Sequence, residues 1–334
     1  MIINFSILVV INLLVFLNLE KISKFIDLYD FPNKKLKKHK NKISLIGGTI
    51  IILNLFLFYV FSYFLDYKFF TFFQNVEQEI IFFIVIFLFY LLGFYDDKIN
   101  LNPYIKLLIS IIIITAYLYL DQNLIIQNFS VSIYQHKIFL ETYSIFFSIF
   151  CFIILINALN FYDGINGQSL IFFLNIFLYL LIISENYKFY GFLIFIIVFL
   201  LFLNLQNKLF LGDNGIYVLA IILSTSIIYE HNVFGNFDFV DEIFFLLILP
   251  GYDLLRLSIT RIIKGKNAFY GDRNHIHHLL IDKFTLIKSN LFLVLLNLLP
   301  IFLFSFIGLN FFIIMILFTF LYVFLILKLS QNDN

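Results

Sequence analysis

The sequence predicts an all-α polytopic integral membrane protein of about eleven transmembrane helices. Its N-terminus is expected outside, its C-terminus in the cytoplasm, and its active-site cleft at the cytoplasmic face. Three observations predict this. First, 62% of the 334 residues are hydrophobic and only 13% are charged, with a mean hydropathy of +0.99. A soluble core of this size cannot hide so much apolar surface, so lipid must solvate it. Second, uncharged runs of roughly 18 residues recur along the chain, the length that crosses a bilayer as a helix. Third, of 22 Lys and Arg only Lys68, Lys137 and Lys188 fall on the loops that alternate counting assigns to the outside. That bias follows the positive-inside rule.

In order, the spans are read at 2–19, 43–65, 79–95, 103–120, 144–160, 169–184, 188–206, 215–230, 242–259, 290–307 and 309–329. The first lacks a preceding basic residue and a small-residue cleavage site, so it reads as a span rather than a signal peptide. The basic run 34–42 that follows, with His39, is a topology signal or an attractor of anionic lipid headgroups. Cys151 is the single cysteine, which excludes an internal disulfide framework; inside an apolar run it reads as a small packing residue. The chain 1–334 is read as one transmembrane domain, with no internal repeat and no soluble domain.

Four polar clusters interrupt the apolar runs, and all fall on the side assigned to the cytoplasm. The first is Asp96-Asp97 at a helix end, followed by Pro103 at a helix start and Lys106 one turn inside it. Paired carboxylates can hold Mg²⁺ or act as a base toward a phosphate, and Lys106 can meet a phosphate oxygen. A solvated turn with a topology lysine is the alternative. In the second cluster Asn157, Asn160 and Asp163 are spaced by three, so they share a helix face, and Gly164 and Gly167 permit close backbone approach. Such a set suits a nucleotide base or ribose; helix capping at the interface is the bland alternative.

The third cluster, Gly212-Asp213-Asn214-Gly215, opens a span. Asp213 reads either as a cap or as a Mg²⁺ ligand beside a pyrophosphate. Asn204 lines the same pocket or bonds to a neighbouring helix. The fourth is the loop Asp272-Arg273-Asn274-His275-Ile276-His277-His278. It has no cysteine, and adjacent histidines converge poorly on one tetrahedral ion. An anion or nucleotide clamp is therefore preferred to zinc, with a plain solvated loop as the bland alternative. Asp253 and Arg256, spaced by three, read as a local ion pair.

Together these motifs resemble the polyprenyl-phosphate N-acetylhexosamine-1-phosphate transferases, over most of the chain. The resemblance begins at Asp30-Phe31-Pro32-Asn33, continues through His39 and Leu45-Ile46-Gly47-Gly48, and includes the four clusters in the family's order. His275-Ile276-His277-His278 resembles the initiating branch, which starts common-antigen and O-antigen synthesis. The peptidoglycan branch shows three consecutive histidines and a Pro-Thr-Met-Gly-Gly stretch, where this chain has Ser44-Leu45-Ile46-Gly47-Gly48. Asn166 stands where many relatives carry a second Asp.

The resemblance implies transfer of N-acetylhexosamine-1-phosphate from a UDP-N-acetylhexosamine to undecaprenyl phosphate, with UMP released, at the bacterial inner membrane. It implies Mg²⁺, with Mn²⁺ as a substitute. Asp213 and Asp97 would be the metal residues, and Asp96 would orient or deprotonate the lipid phosphate. Asn157, Asn160, Asp163 and Asn204 would contact the nucleotide or line its pocket. Lys106, Arg273, His275, His277 and His278 would bind phosphate or sugar. The expected partners are the polyprenyl phosphate lipid, the UDP-sugar and the membrane, with a homodimer admitted and nucleic acid excluded. The nearest rival enzyme is the phospho-N-acetylmuramoyl-pentapeptide transferase. A transporter is the rival of a different class, but it would place polar residues near mid-bilayer on paired discontinuous helices. A CDP-alcohol phosphotransferase would need an Arg after Asp163-Gly164 that this chain lacks.

Overall fold

A computed structural model describes residues 2–32, 41–64, 72–134, 136–266 and 273–331. Asn33, His39, most of the basic run 34–42, and Asp272 lie outside the described residues. The chain forms two compact units, Met1–Gln122 with Phe177–Ser226, and Asn123–Ile176 with Ile227–Asn334.

The first unit begins with α1 (Ile2–Leu17) and α2 (Leu19–Ile26). The short strands β1 (Tyr29–Asp30) and β2 (Ile43–Ser44) then pair antiparallel. They are followed by α3 (Gly47–Phe64), α4 (Val76–Ile99) and α5 (Pro103–Leu120). Buried amides tie α1 to α3, where Asn12 Nδ2 donates to Asn54 Oδ1 at 2.8 Å. In lipid such a bond replaces partners that hydrocarbon cannot supply. Asn75 caps α4 by accepting from Gln78 N, and Asn102 caps α5 by accepting from Tyr104 N, with Pro103 in the first turn.

The second unit opens with a hairpin of β3 (Asn128–Ser130) and β4 (Lys137–Phe139), then α6 (Ser144–Tyr162). Next in the chain come α7 (Gln168–Ile183), divided between the units after Ile176, and then α8 (Tyr187–Leu205) and most of α9 (Gly212–Asn232), which belong to the first unit. The remaining helices are α10 (Val240–Leu246), α11 (Ile248–Ile263), α12 (Ile276–Lys283), α13 (Leu286–Ser305) and α14 (Phe311–Ser330). Within the second unit α11 packs on α6, and α10 on α13.

Every one of the eleven expected spans falls on a helix. Among the described residues, eight helices are long and apolar enough to cross a membrane, or ten spans if each of two helix pairs bent by 70° counts as one; the remaining expected span, 169–184, falls on the shorter α7 of 16 residues. The protein is an all-α polytopic membrane protein. α9 is 94% buried and α14, the more apolar of the two, only 17%, so protein surrounds the one and lipid is left to solvate the other.

Three boundaries differ from the sequence reading, each for a local reason. The second span starts at Gly47 rather than 43, because Ile43 and Ser44 belong to β2. α4 continues through Asp96 and Asp97, and ends only where Asn100 turns left-handed at φ 50°, its N–H returning to Asp96 O. The ninth span breaks at Leu247: α10 closes there, and Pro250 sits in the first turn of α11, where its missing N–H costs nothing.

Candidate active site

The acidic residues Asp96, Asp97 and Asp213 gather in the first unit. Leu101 N donates to Asp96 Oδ1 at 2.9 Å, and Lys106 Nζ meets Asp96 Oδ2 at 2.6 Å. The corner between α4 and α5 thus holds a buried carboxylate against a partly exposed ammonium. Asp97 faces the start of α9. It accepts from Asp213 N and Asn214 N, both at 3.0 Å, and from Asn214 Nδ2. A carboxylate on the first N–H groups of a helix satisfies orphan donors and the helix dipole together. The side chain of Asp213 is left in reach of the charges of Asp97, Asp96 and Lys106.

Asn214 fixes this arrangement. Its Oδ1 accepts from Gly48 N and its Nδ2 donates to Leu45 O, both at 2.8 Å. It therefore joins the turn before α3 to the cap between α4 and α9. Two glycines make room. A Cβ on Gly93 would strike the Asn214 backbone, and Gly212 sits at φ +71° with Asp97 Oδ2 2.8 Å from where its Cβ would lie. Asn204 donates to Leu209 O at 3.1 Å, within the turn that leads to Gly212.

The second unit gathers the other candidates around α6, α11 and α12. Asn157 bonds its own helix at Ile153 O, 2.8 Å away, and Asn160 lies one turn further on. Asp163 ends α6 and accepts from Ser169 Oγ. Gly164 N donates to Gln168 Oε1 at 3.3 Å, while Gln168 Nε2 lies 3.1 Å from His277 Nδ1. Because a backbone N–H only donates, the amide oxygen must face Gly164 and the amide nitrogen must face the ring. His277 Nδ1 then accepts, and its hydrogen sits on Nε2. That nitrogen lies over Gly164, where any Cβ would collide with the ring.

His275 is held the opposite way. Its Nδ1 is 2.7 Å from Asp253 Oδ2, and its Nε2 is 3.3 Å from Arg261 Nη2, a pure donor. The hydrogen of a neutral His275 is thus on Nδ1. Asp253 Oδ1 also accepts from Arg256 at 2.7 Å, Tyr322 OH at 2.9 Å and Ile276 N at 3.2 Å. The expected Asp253–Arg256 ion pair is present, but it belongs to a larger network. The rings of Phe161, His275 and His277 stack in series, with centroids 6.0 and 5.2 Å apart. Arg273 reaches Asp282 at 3.4 Å. Burial, His278 and His275 push His277 well below the usual histidine range. Burial and Arg273 lower His278 to about 4.

Ligand atoms of Asp253, His275 and His277 come within 4.8 Å of one another, close enough to suggest a metal. Arg256 and Arg261 already occupy this cluster, and a third cation would face both guanidinium groups. The acidic set in the first unit fits a divalent cation better. It offers hard oxygen donors and sets three carboxylates against one lysine. Asp253, Arg261, Gln168 and Asn214 were not singled out as site residues from sequence. Each acts through a partner distant in sequence, a relation that spacing along one helix does not reveal.

Residues 79–231 match the glycosyl transferase family 4. Over 273 residues the chain is 28% identical to an undecaprenyl-phosphate alpha-N-acetylglucosaminyl 1-phosphate transferase of Thermotoga maritima, covering 81% of this chain and 79% of that protein. A protein of the same description from Escherichia coli O157:H7 is 24% identical over 277 residues, covering 78% and 71%.

Proposed function

Because residues 79–231 match the glycosyl transferase family 4, we propose that the chain transfers N-acetylhexosamine-1-phosphate from a UDP-N-acetylhexosamine to undecaprenyl phosphate. A phosphate oxygen of the lipid attacks the sugar-bearing phosphorus, the bond to UMP breaks, and polyprenyl-diphosphate-N-acetylhexosamine forms. One phosphoanhydride replaces another, so catalysis is chiefly positioning and charge neutralisation. This step would initiate a cell-envelope polysaccharide. The descriptions of the two relatives support the substrate class.

The observation that carries the reading is the gathering of Asp96, Asp97 and Asp213 with Lys106 in one unit. Asp213 would hold Mg²⁺, with Asp97 completing the oxygen set while it caps α9. Bound there, the ion would supply charge neutralisation at the pyrophosphate and the departing UMP. Asp96 holds Lys106 toward the lipid phosphate and takes its remaining proton. In the second unit, Asn160 and Asp163 would meet the nucleotide. His277 would donate from Nε2, and Arg273, His275 and His278 would face phosphate or sugar. The distribution of Lys and Arg supports a cytoplasmic face for all these groups in a bacterial inner membrane.

The test incubates purified protein with Mg²⁺, undecaprenyl phosphate and a panel of UDP-sugars, and measures UMP. Release with one sugar identifies the donor. No release with any UDP-N-acetylhexosamine overturns the reading.

A further inference from the structure

A narrow cleft inside the second unit is lined by Tyr162, Gln168, Asn175, Asn290 and Asn297, with apolar side chains completing its walls. Asn175 lies seven residues after Gln168 on α7, and Asn297 seven after Asn290 on α13. Each helix therefore presents two amides on one face, two turns apart. Asn290 and Asn297 are only 7% and 2% exposed. Asn290 Nδ2 is satisfied by Asn166 O at 2.9 Å. Asn175 Nδ2, Asn290 Oδ1 and both polar atoms of Asn297 have no partner among the described residues.

Four dry amide atoms would consume a large share of the marginal stability of a domain. The occupant that relieves them must both donate and accept, because orphans of both kinds are present. Exchanging an amide oxygen and nitrogen does not change this, since both ends of Asn297 are unpaired. No charged side chain lines the cleft, which argues against an ion. The space holds about one water. We propose that this cleft is a site for ordered water, bridging α7 and α13 and completing the hydrogen bonds of Asn175, Asn290 and Asn297. Gln168 shares the wall and holds His277, so the water lies directly behind the residue that orients that ring.

Radiolytic hydroxyl labelling tests the site on the full chain in lipid nanodiscs, because bound water generates the oxidant in place. Tyr162 and Phe172 are each 2% exposed and should be labelled, while Phe152 and Phe245, which are fully buried elsewhere in the unit, should not. After rapid mixing into ¹⁸O water, the cleft residues should retain ¹⁶O longer than exposed tyrosines. In Asn297→Leu the labelling of Tyr162 and Phe172 should be lost, with the melting temperature unchanged or lower. The wild-type measurement decides even if that variant does not fold. Tyr162 and Phe172 as inert as Phe152 would overturn the proposal. So would an Asn297→Leu protein that melts several degrees higher, the signature of a dry, unpaired amide removed.

Discussion

The two units carry polar clusters built on opposite electrostatic plans. In the first, Asp96, Asp97 and Asp213 face one ammonium, Lys106, so like charge is left in excess. In the second, Asp253 is met by Arg256, with His275 and Arg261 beyond it, and the carboxylate is balanced by its own neighbours. An excess of carboxylate near the lipid boundary persists only where something compensates it. A balanced network needs no further charge and instead fixes directions. The first cluster is thus suited to gathering a cation and phosphates, the second to aiming histidine hydrogens.

Asp213→Asn breaks the comparison most severely. It removes one charge from the unbalanced set while leaving the backbone N–H groups that Asp97 caps. UMP release should fall by about 1000-fold, and the Mg²⁺ concentration needed for half-maximal rate should rise. Near-normal activity with unchanged Mg²⁺ dependence would remove the metal assignment.

Asp253→Asn attacks the balanced cluster. It leaves Arg256 without its buried carboxylate and turns a pure acceptor of Tyr322, Ile276 and His275 into a group that also donates. Breaking such a pair costs about 3 kcal/mol. The melting temperature should therefore drop clearly, and UMP release should fall by about 100-fold. If activity falls while the melting temperature holds, Asp253 aims His275 without stabilising the unit. If both hold, the network contributes neither.

Gln168→Glu sharpens the same contrast with a smaller change. A carboxylate at this position accepts from the ring, so the hydrogen of His277 should move from Nε2 to Nδ1. Nitrogen-15 shifts of labelled histidine report that exchange directly. UMP release should fall by about tenfold, with most of the loss in kcat. Unchanged shifts would show that Gln168 does not set the tautomer.

The acidic motifs were legible because each sits at the end of an apolar run, and charge there demands a reason. The corner at Asn102-Pro103 was legible from capping chemistry, and Lys106 fell one turn inside as expected. Asp253 was read as the partner of Arg256 because both share one helix face. Its bond to His275, 22 residues later, arises only when α12 packs in the second unit. The same holds for Asn214, which reads as part of a glycine turn yet ties Leu45, Gly48 and Asp97 together. Gln168 stands just before the apolar span read at 169–184, with nothing along the chain to mark it. Only its two bonds, to Gly164 and to His277, reveal it as an orienting group.

The smallest expected effect concerns pH. Burial first, then the charges of Arg273 and His275, hold His278 down at about 4 against the opposite pull of Asp282 and Asp253. His277 is also held low, first by burial and then by His278 and His275. An unfolded histidine binds its proton near 6.5. Between about 6.5 and 4 the unfolded chain therefore takes up protons that the folded unit refuses, and stability must fall as pH falls. Above about 7 these two rings contribute no slope. The melting temperature in nanodiscs should be flat from pH 7 to 8 and should decline as pH drops toward 4.5. His278→Gln should remove part of that decline, because glutamine binds no proton in either state. A variant with the same slope as the wild type would show that His278 titrates normally in the folded protein.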